Sequence, residues 1–314
     1  MEPLKAKEIY GTWGTLLLPI QEDESILYEA LSQQIKTLIG TGVNGIYSNG
    51  TAGEFYNQTE EEFDTISGML ADECNAAGMP FQIGCSNTNP KCTLERVKRV
   101  RSLKPGAIQV ILPDWCPPSP DELLRFLEGI CNAAEGIGIV LYNPPHAKRV
   151  LAPEDYAAIM RRGIPLVGCK TAGGDESWYA QMSAIPGLSL FVPGHWLATG
   201  VRSGAHGAYS NVACLHPITA QRWYQDMMTD MEKALQFEAR IGAFFKQYIV
   251  PLMTERKYSG QAMDKMMAWI TGWGNATLRL RWPYKGVTEQ EALLVREACR
   301  AQLPEFFEAG ISAR

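Results

Sequence analysis

The chain has 314 residues, of which 46% are hydrophobic and 20% are charged, and its formal net charge at pH 7 is -5. This is the composition of a globular protein with enough apolar residues for a large core. The acidic balance gives no support for nucleic acid or an anionic membrane as a partner, and no stretch of the sequence approaches the length of a transmembrane span.

A repeated pattern of short strands and amphipathic helices begins near the N-terminus. Each unit has a short apolar strand, a polar or Gly/Pro-rich turn and a helix, at the spacing of βα units in a parallel sheet. The first helix is predicted from about Glu24 to Leu38, where apolar residues recur at helical spacing. Eight strands are predicted, at residues 14–19, 45–48, 80–84, 107–112, 138–142, 165–168, 188–192 and 207–210.

Eight alternating units predict an α/β fold, a (β/α)8 TIM barrel whose chemistry lies where the strands end. From about Pro217 the strand-like runs stop and helical stretches follow. We therefore expect the barrel to occupy residues 1–230 and a C-terminal helical extension, or appendage, to occupy residues 231–314. Helices are predicted in this part of the chain at residues 218–231, 234–248, 261–270 and 289–302.

The sixth predicted strand runs into a lysine, Lys170. A lysine at the end of a buried strand either forms an ion pair with a carboxylate or acts as a neutral amine that can attack a carbonyl group. For a lone lysine the structural ion pair is a serious alternative. Because Lys170 lies at a barrel strand end, we favour the nucleophile. Its neighbour Cys169 is expected to face the opposite side of the strand.

The fifth predicted strand ends at Tyr142. Adjacent strand ends lie side by side at the mouth of a barrel, so this phenol is expected near Lys170. There its hydroxyl group could carry protons to and from a substrate. A tyrosine in this place is also common as an amphipathic plug.

The second predicted strand is followed by the turn Ser48-Asn49-Gly50-Thr51-Ala52-Gly53-Glu54. Its two glycines let the backbone approach a ligand closely, and successive N–H groups could hold a carboxylate. The alternative is a tight strand-to-helix turn in which Thr51 forms only local hydrogen bonds.

Three motifs, in this order and at this spacing, resemble the dihydrodipicolinate synthase and N-acetylneuraminate lyase family of class I aldolases. They are Gly50-Thr51-Ala52-Gly53-Glu54, Tyr142-Asn143-x-Pro145 and Gly168-x-Lys170. The resemblance implies a (β/α)8 barrel with C-terminal helices, usually a homotetramer, and no cofactor beyond a covalent lysine Schiff base. It implies that Lys170 forms the Schiff base, Tyr142 relays protons with Thr51 as its hydrogen-bonded partner, and the backbone of Gly50 to Gly53 binds the carboxylate of a pyruvate-like keto acid.

Three positions depart from the family pattern. Ala52 stands where the family often has a hydroxyl residue, so backbone amides must hold more of the carboxylate. Trp115 stands where the synthases carry a tyrosine that a neighbouring subunit lends to the proton relay, and an indole cannot pass a proton along. The arginine that binds the second carboxylate in the synthases falls on Ala147, with Lys148 and Arg149 one and two places later. These departures favour a generic aldolase or dehydratase over dihydrodipicolinate synthase.

Residues after the seventh and eighth strands are predicted to bind the rest of the substrate. They are Gly194 and His195, at the position where the sialic-acid lyases place acidic residues on sugar hydroxyl groups, and Ser210. His195 could donate to a substrate hydroxyl group or act in acid–base chemistry near neutral pH, and a packing role is about equally frequent.

Aromatic residues near the predicted strand ends also indicate which kind of substrate would fit. Asn49-Gly50-Thr51 and Pro113-Asp114-Trp115 resemble the hydratase-aldolase branch of the family, which cleaves aromatic ylidene-pyruvates. Trp115 is therefore a candidate substrate-binding residue, and with Trp196, Tyr209 and Phe55 it would suit a flat or apolar aldehyde portion. Aromatic residues also line subunit contacts, which is the alternative.

The sequence offers no metal or nucleotide motif. Its four histidines lack H-x-x-x-H or H-E-x-x-H spacing, and no glycine-rich phosphate loop opens a helix. Asp175 is predicted to cap a helix. The eight cysteines stand singly, and charges occupy the place of a signal peptide's apolar region, so we expect reduced thiols in a cytoplasmic protein.

The leading hypothesis is a Schiff-base lyase, an aldolase or dehydratase that acts on a pyruvate-derived 2-oxo acid such as a 2-keto-3-deoxy sugar acid or an ylidene-pyruvate. The expected partners are that small molecule and further copies of the chain, as a homotetramer or dimer. The alternatives are 4-hydroxy-tetrahydrodipicolinate synthase and a catalytically silent barrel that binds a keto acid.

Overall fold

The computed structural model of the protein describes residues 1–308. Eight parallel strands close into a barrel in sequential order, with β8 paired to β1. The predicted (β/α)8 barrel is therefore confirmed. The strands are β1 Gly11–Thr15, β2 Gly45–Ser48, β3 Phe81–Gly84, β4 Ala107–Ile111, β5 Gly138–Tyr142, β6 Leu166–Lys170, β7 Ser189–Phe191 and β8 Gly207–Tyr209.

Helices lie between the strands and continue after the last one. A π-helical segment, Phe245–Ile249, joins α10 to α11. The helices are α1 Tyr28–Gly40, α2 Glu60–Ala77, α3 Pro90–Val100, α4 Pro120–Ala134, α5 Pro153–Arg161, α6 Glu176–Ser183, α7 Leu197–Arg202, α8 Asn211–Leu215, α9 Pro217–Thr229, α10 Met231–Phe244, α11 Val250–Thr254, α12 Gly260–Thr271, α13 Glu289–Gln302 and α14 Glu305–Glu308.

The first strand and the first helix differ from their predicted positions. The strand is Gly11–Thr15, and the apolar run from Leu16 to Leu18 is buried after it ends. The Leu16 N–H still donates to the Tyr47 carbonyl of β2 at 3.0 Å, but the Leu17 backbone is satisfied by a side chain, since its N–H donates to Gln34 Oε1 at 2.7 Å and its carbonyl accepts from Gln34 Nε2 at 3.1 Å. The helix begins at Tyr28 because Glu24 has a left-handed φ of 67°, which no helical residue adopts.

Aromatic side chains fill the interior of the barrel. Trp13 lies against Phe191 and Tyr209, with ring centroids 6.4 and 5.9 Å apart, and Tyr209 lies 4.7 Å from Tyr47. A Cβ atom on residue 45 would lie 2.5 Å from the Trp13 indole, so the strand carries glycine there. These aromatic side chains fill the barrel below its C-terminal mouth. A second, larger core lies between the strands and the surrounding helices.

The C-terminal helices fold back onto the mouth of the barrel. α12 packs on α8, and the indole N–H of Trp273 donates to the Cys214 carbonyl at 2.7 Å. The boundary near residue 230 remains a prediction, and residues 309–314 of the predicted extension lie outside the described residues. No helix within residues 1–308 combines the length and the apolarity needed to cross a bilayer.

Candidate active site

Lys170 and Tyr142 are paired residues at the mouth of the barrel. They end β6 and β5 and lie opposite one another in the register of the two strands. The Lys170 Nζ is 4.7 Å from the centre of the Tyr142 ring and 5.8 Å from that of Tyr209. Among the described residues Lys170 forms no ion pair, which argues against the alternative that this lysine belongs to a structural ion pair. Cys169 is fully buried on the other side of the strand, as predicted.

An inner pocket of about 380 Å³ surrounds these two side chains. Its wall opposite Lys170 is the turn after β2, which contributes Gly50, Thr51 and Ala52. A Cβ atom on residue 50 would lie 2.6 Å from the Tyr47 ring, so only glycine fits this close approach. Apart from Gly53, the residues predicted to bind the keto acid thus line one pocket.

The turn offers backbone donors to this pocket. The Glu54 N–H donates to the Thr51 carbonyl at 3.0 Å and the Phe55 N–H to the Gly50 carbonyl at 3.3 Å, which fixes the turn's shape. Within residues 1–308 the N–H groups of Thr51 and Ala52 donate to no protein acceptor. Free N–H groups that point the same way form a binding place for an anion such as a carboxylate.

Thr51 and Tyr142 line the inner pocket together, but no hydrogen bond joins their hydroxyl groups, both of which the structure describes. Their partnership in a proton relay therefore stays a prediction. Thr51 Oγ1 remains available to a ligand, as does the Tyr142 hydroxyl group.

An outer chamber of about 840 Å³ opens from the inner pocket and is mainly apolar. It is bounded by Gly194 and His195 on one side and by the C-terminal helices on the other. Those helices contribute Gly242, Ala243, Phe245, Ile249, Met253, Met263 and Met267.

His195 is held between an amide and an aromatic ring in this chamber. Its Nδ1 lies 2.8 Å from Asn211 Nδ2, and its ring centre lies 5.4 Å from that of Phe245. Burial lowers the pKa of His195, the Asn211 contact opposes that change, and the charge of Lys170 adds to it. The imidazole is thus neutral at pH 7, and with the amide as donor its Nε2 carries the proton.

Asp264 of α12 is an acidic residue that borders both the inner pocket and the outer chamber. Burial raises the pKa of its carboxyl group to about 7, while the charge of Lys170 and the thiol of Cys214 act in the opposite direction. A carboxyl group with a pKa near neutrality can both accept and donate a proton under physiological conditions.

The remaining predicted residues lie outside both cavities. Gly53 packs its backbone against the Leu16 carbonyl. Ser210 Oγ accepts from the Ala213 N–H at 3.0 Å and so caps α8. Trp115 is 83% exposed, and the Lys148 Nζ lies 5.1 Å from its ring centre. Among the described residues, the single chain does not bring Trp115 to the lysine.

Sequence reasoning missed the residues that the C-terminal helices bring to the mouth. The outer chamber depends on α10 to α12, which the sequence suggested were an appendage. A signal was present in α12, where Asp264 and Lys265 interrupt the otherwise apolar run from Ala262 to Ile270. Charged residues are rarely buried unless they are paired or functional.

A (β/α)8 barrel with a lysine inside its C-terminal mouth is the architecture of class I aldolases and related lyases. The model of the dihydrodipicolinate synthetase family matches residues 8–302. The chain therefore belongs to the dihydrodipicolinate synthetase family, as the sequence motifs suggested, and this family comprises class I aldolases and lyases.

Two curated relatives carry different activities. A trans-O-hydroxybenzylidenepyruvate hydratase-aldolase of Sphingobium xenophagum is 24% identical over 198 residues, which is 60% of each chain. A 4-hydroxy-tetrahydrodipicolinate synthase of Ruegeria pomeroyi is 26% identical over 278 residues, 85% of this chain and 94% of that protein. The chain thus spans only about 60% of the length of the first of these relatives.

Two solved structures share the fold. The E. coli prophage protein YagE, in complex with pyruvate, superposes with a TM-score of 0.83 at 19% identity, over 94% of this chain and 98% of its own. A sialic acid aldolase of Ruminococcus gnavus gives a TM-score of 0.81 at 17% identity, over 95% and 98% of the two chains. At this identity the likeness concerns the fold.

Proposed function

We propose that the protein is a pyruvate-dependent Schiff-base lyase, an aldolase or hydratase-aldolase whose 2-oxo acid substrate carries an apolar arm. The observation that carries the proposal is the position of Lys170, which forms no ion pair among the described residues and faces, across one small pocket, a turn with free backbone donors. The substrate carboxylate binds this turn. Its C2 carbonyl group then lies within reach of the lysine, with the Tyr142 phenol beside them.

The chemistry follows from this arrangement. Lys170 Nζ attacks C2, and loss of water gives an iminium ion that draws electrons away from the bond beyond C3. Tyr142 carries protons during formation and hydrolysis of the Schiff base. In an aldol cleavage the bond between C3 and C4 then breaks, and in a dehydration a hydroxyl group leaves from C4.

The apolar outer chamber favours a substrate whose arm beyond C3 is aromatic or otherwise apolar over one with a sugar chain. Its lining is dominated by aliphatic, methionine and aromatic side chains, and the His195 Nδ1 is already joined to the Asn211 amide nitrogen. The charged residues on the lining are Lys170, Glu238, Lys246 and Asp264. A polyol that lay along the apolar wall would leave hydroxyl groups there without partners, which costs more than an apolar arm does. One free donor on His195 suits a single oxygen on the arm.

The residues around Ala147 argue against dihydrodipicolinate synthase activity. Lys148 Nζ donates to the Trp115 carbonyl at 3.0 Å, and Arg149 Nη1 donates to the Pro118 carbonyl at 2.5 Å. Both side chains are therefore used outside the two cavities, and within residues 1–308 no arginine lines either one. The cationic side chains that line the outer chamber are Lys170, which the proposal assigns to the Schiff base, and Lys246, so a second substrate carboxylate would lack the arginine expected in the synthases.

Borohydride trapping with pyruvate tests the proposal directly. The wild-type protein is expected to gain one reduced pyruvate adduct in its intact mass, and the peptide map is expected to place it on Lys170. An adduct on another lysine, or none at all, would contradict the proposal. Thermal stabilisation by keto acids without any adduct would instead support the catalytically silent barrel.

Filling the outer chamber is expected to exclude the apolar arm while leaving the keto-acid pocket intact. A Cβ atom on Gly242 meets no atom within 4 Å, and this residue lies in α10 on the chamber wall. Gly242→Leu should leave pyruvate trapping unchanged and raise KM for an aromatic ylidene-pyruvate at least about tenfold, since about 1–3 kcal/mol of burial is lost. Helix propensity favours the variant by up to about 1 kcal/mol.

The matched control is Gly129→Leu, an exposed glycine of α4 whose Cβ is equally unobstructed. It should leave both KM and trapping unchanged. If Gly242→Leu binds an aromatic substrate as tightly as the wild type does, the arm does not enter the outer chamber.

A further inference from the structure

The two cavities meet at a narrow set of side chains. A substrate held by its carboxylate on the turn and by C2 on Lys170 must place its C3 atom at this junction, because its arm continues into the outer chamber. Seven residues border both cavities, and they are Tyr142, Lys170, Tyr209, Asn211, Met253, Gly260 and Asp264. Within the described residues Asp264 is the one carboxylate among them.

The other polar groups at the junction are less suited to act on C3. The Tyr209 hydroxyl group donates to Gln82 Oε1 at 2.7 Å, and burial raises the pKa of this phenol far above neutrality. Asn211 is joined to His195 and has no ionisable group. Tyr142 lies over the lysine nitrogen, where formation of the Schiff base needs it.

On this basis, and resting on the proposed Schiff base at Lys170, we propose that Asp264 is a second catalytic acid–base group, which moves the proton at C3 of the bound keto acid. The C3–H bond breaks, its electron pair forms the C2=C3 double bond, and the electrons of the C2=N bond move onto Nζ. The proton forms an O–H bond with the Asp264 carboxylate. The reverse transfer returns the proton to C3 and releases the carboxylate.

Electrostatics favour this exchange. The iminium ion and the carboxylate are opposite charges in a half-buried mouth, and the transfer converts them into a neutral enamine and a neutral acid. Burial raises the pKa of Asp264 to about 7 although the charge of Lys170 and the Cys214 thiol act in the opposite direction, so the carboxylate and the protonated acid are both populated near pH 7. The same group can therefore serve as base in one direction and as acid in the other.

Charged and titratable groups from several elements surround Asp264. α13, which also packs on α12, keeps Glu291 in contact with Arg256 and Tyr258, away from the cavities. Glu238 of α10 accepts from the Ala198 N–H at 2.8 Å. The groups that face the junction or line the cavities beside it are Lys170, Tyr142, Tyr209, Tyr47, Cys214, His146, His195, Lys246 and Glu238.

The position of Asp264 is fixed by its neighbour on α12. Lys265 Nζ lies 2.5 Å from Glu54 Oε1, and both side chains are fully buried. Lys265 Nζ also donates to the Arg279 carbonyl at 2.7 Å. Since Glu54 ends the turn that is proposed to bind the keto-acid carboxylate, this contact ties α12, and with it Asp264, to the same turn.

Exchange of the pyruvate methyl protons for deuterium tests the proposal without knowledge of the aldehyde. In D2O the wild-type protein is expected to exchange these protons, as followed by proton NMR. The rate should rise with pH to a midpoint near 7 and then level off. Asp264→Asn should lower the exchange at least about 100-fold and remove this pH step, while borohydride still traps pyruvate on Lys170 to the wild-type extent.

Two controls keep the outcome interpretable. Asp72→Asn, on the exposed side of α2, should exchange like the wild type. Since burial opposes ionisation of Asp264, the asparagine variant should be at least as stable as the wild type at pH 8, so misfolding is checked by its melting temperature. Normal exchange in Asp264→Asn would overturn the role of Asp264 alone. If the wild type gives no adduct, the proposed function fails, and the inference fails with it.

Discussion

Lys170→Arg is expected to abolish the borohydride-stable adduct with pyruvate and to reduce turnover by a factor on the order of 10⁶, the scale seen when a covalent nucleophile is removed. Arginine keeps the positive charge and much of the length of the side chain, but its guanidinium group stays protonated and does not form the Schiff base. Intact mass after trapping, and turnover of an ylidene-pyruvate, are the measurements.

The matched control is Lys148→Arg. Lys148 lies in the loop after β5, close in sequence to the site, but its Nζ donates to the Trp115 carbonyl and lines neither cavity. It should keep the full adduct. An adduct that survives in Lys170→Arg would show that another amine is the nucleophile.

The free energy of unfolding is expected to fall by about 3–5 kcal/mol in Lys265→Met, because a buried carboxylate is left without its partner. Lys265 and Glu54 are both fully buried and 2.5 Å apart. Burial works against the charged form of Lys265 and lowers its pKa, although the Glu54 carboxylate favours that form. Denaturant melts at a fixed protein concentration measure the loss.

Two further variants separate the contribution of this ion pair to stability from that of its surroundings. The double variant Glu54→Met with Lys265→Met should recover most of the lost stability, since an apolar pair replaces a charged one. Lys36→Met, which breaks the exposed ion pair with Glu73, should cost about 0–1 kcal/mol. If Lys265→Met costs no more than Lys36→Met, the buried pair does not stabilise the fold.

The barrel could be predicted because its signals are local. β5 begins at a glycine and ends at Tyr142, and its apolar run gives both bounds correctly. The pairing of Tyr142 with Lys170 also follows from adjacency of strand ends. The predicted position of β1 was wrong because Leu16 to Leu18 look like a strand, whereas the Leu17 backbone pairs with the distant Gln34 side chain.

The outer wall of the site could not be predicted in the same way. Asp264 and Phe245 reach the mouth through long-range packing of α10 to α12, which no periodicity encodes. Trp115 shows the reverse case. Its place in a family motif predicted a substrate contact, but in the single chain its indole is exposed. Local pattern thus places Lys170 and Tyr142 at adjacent strand ends, and tertiary packing determines what surrounds them.

During synthesis Glu54 leaves the ribosome long before Lys265, because chains are made from the N-terminus onward. Until α12 exists, the carboxylate at the end of the keto-acid turn has no buried partner and stays hydrated. A barrel in which all eight strands are made still lacks the buried ion pair that ties α12 to this turn. A nascent chain is therefore expected to carry Lys170 before the proposed site is complete, and the site becomes complete only when α10 to α12 have docked.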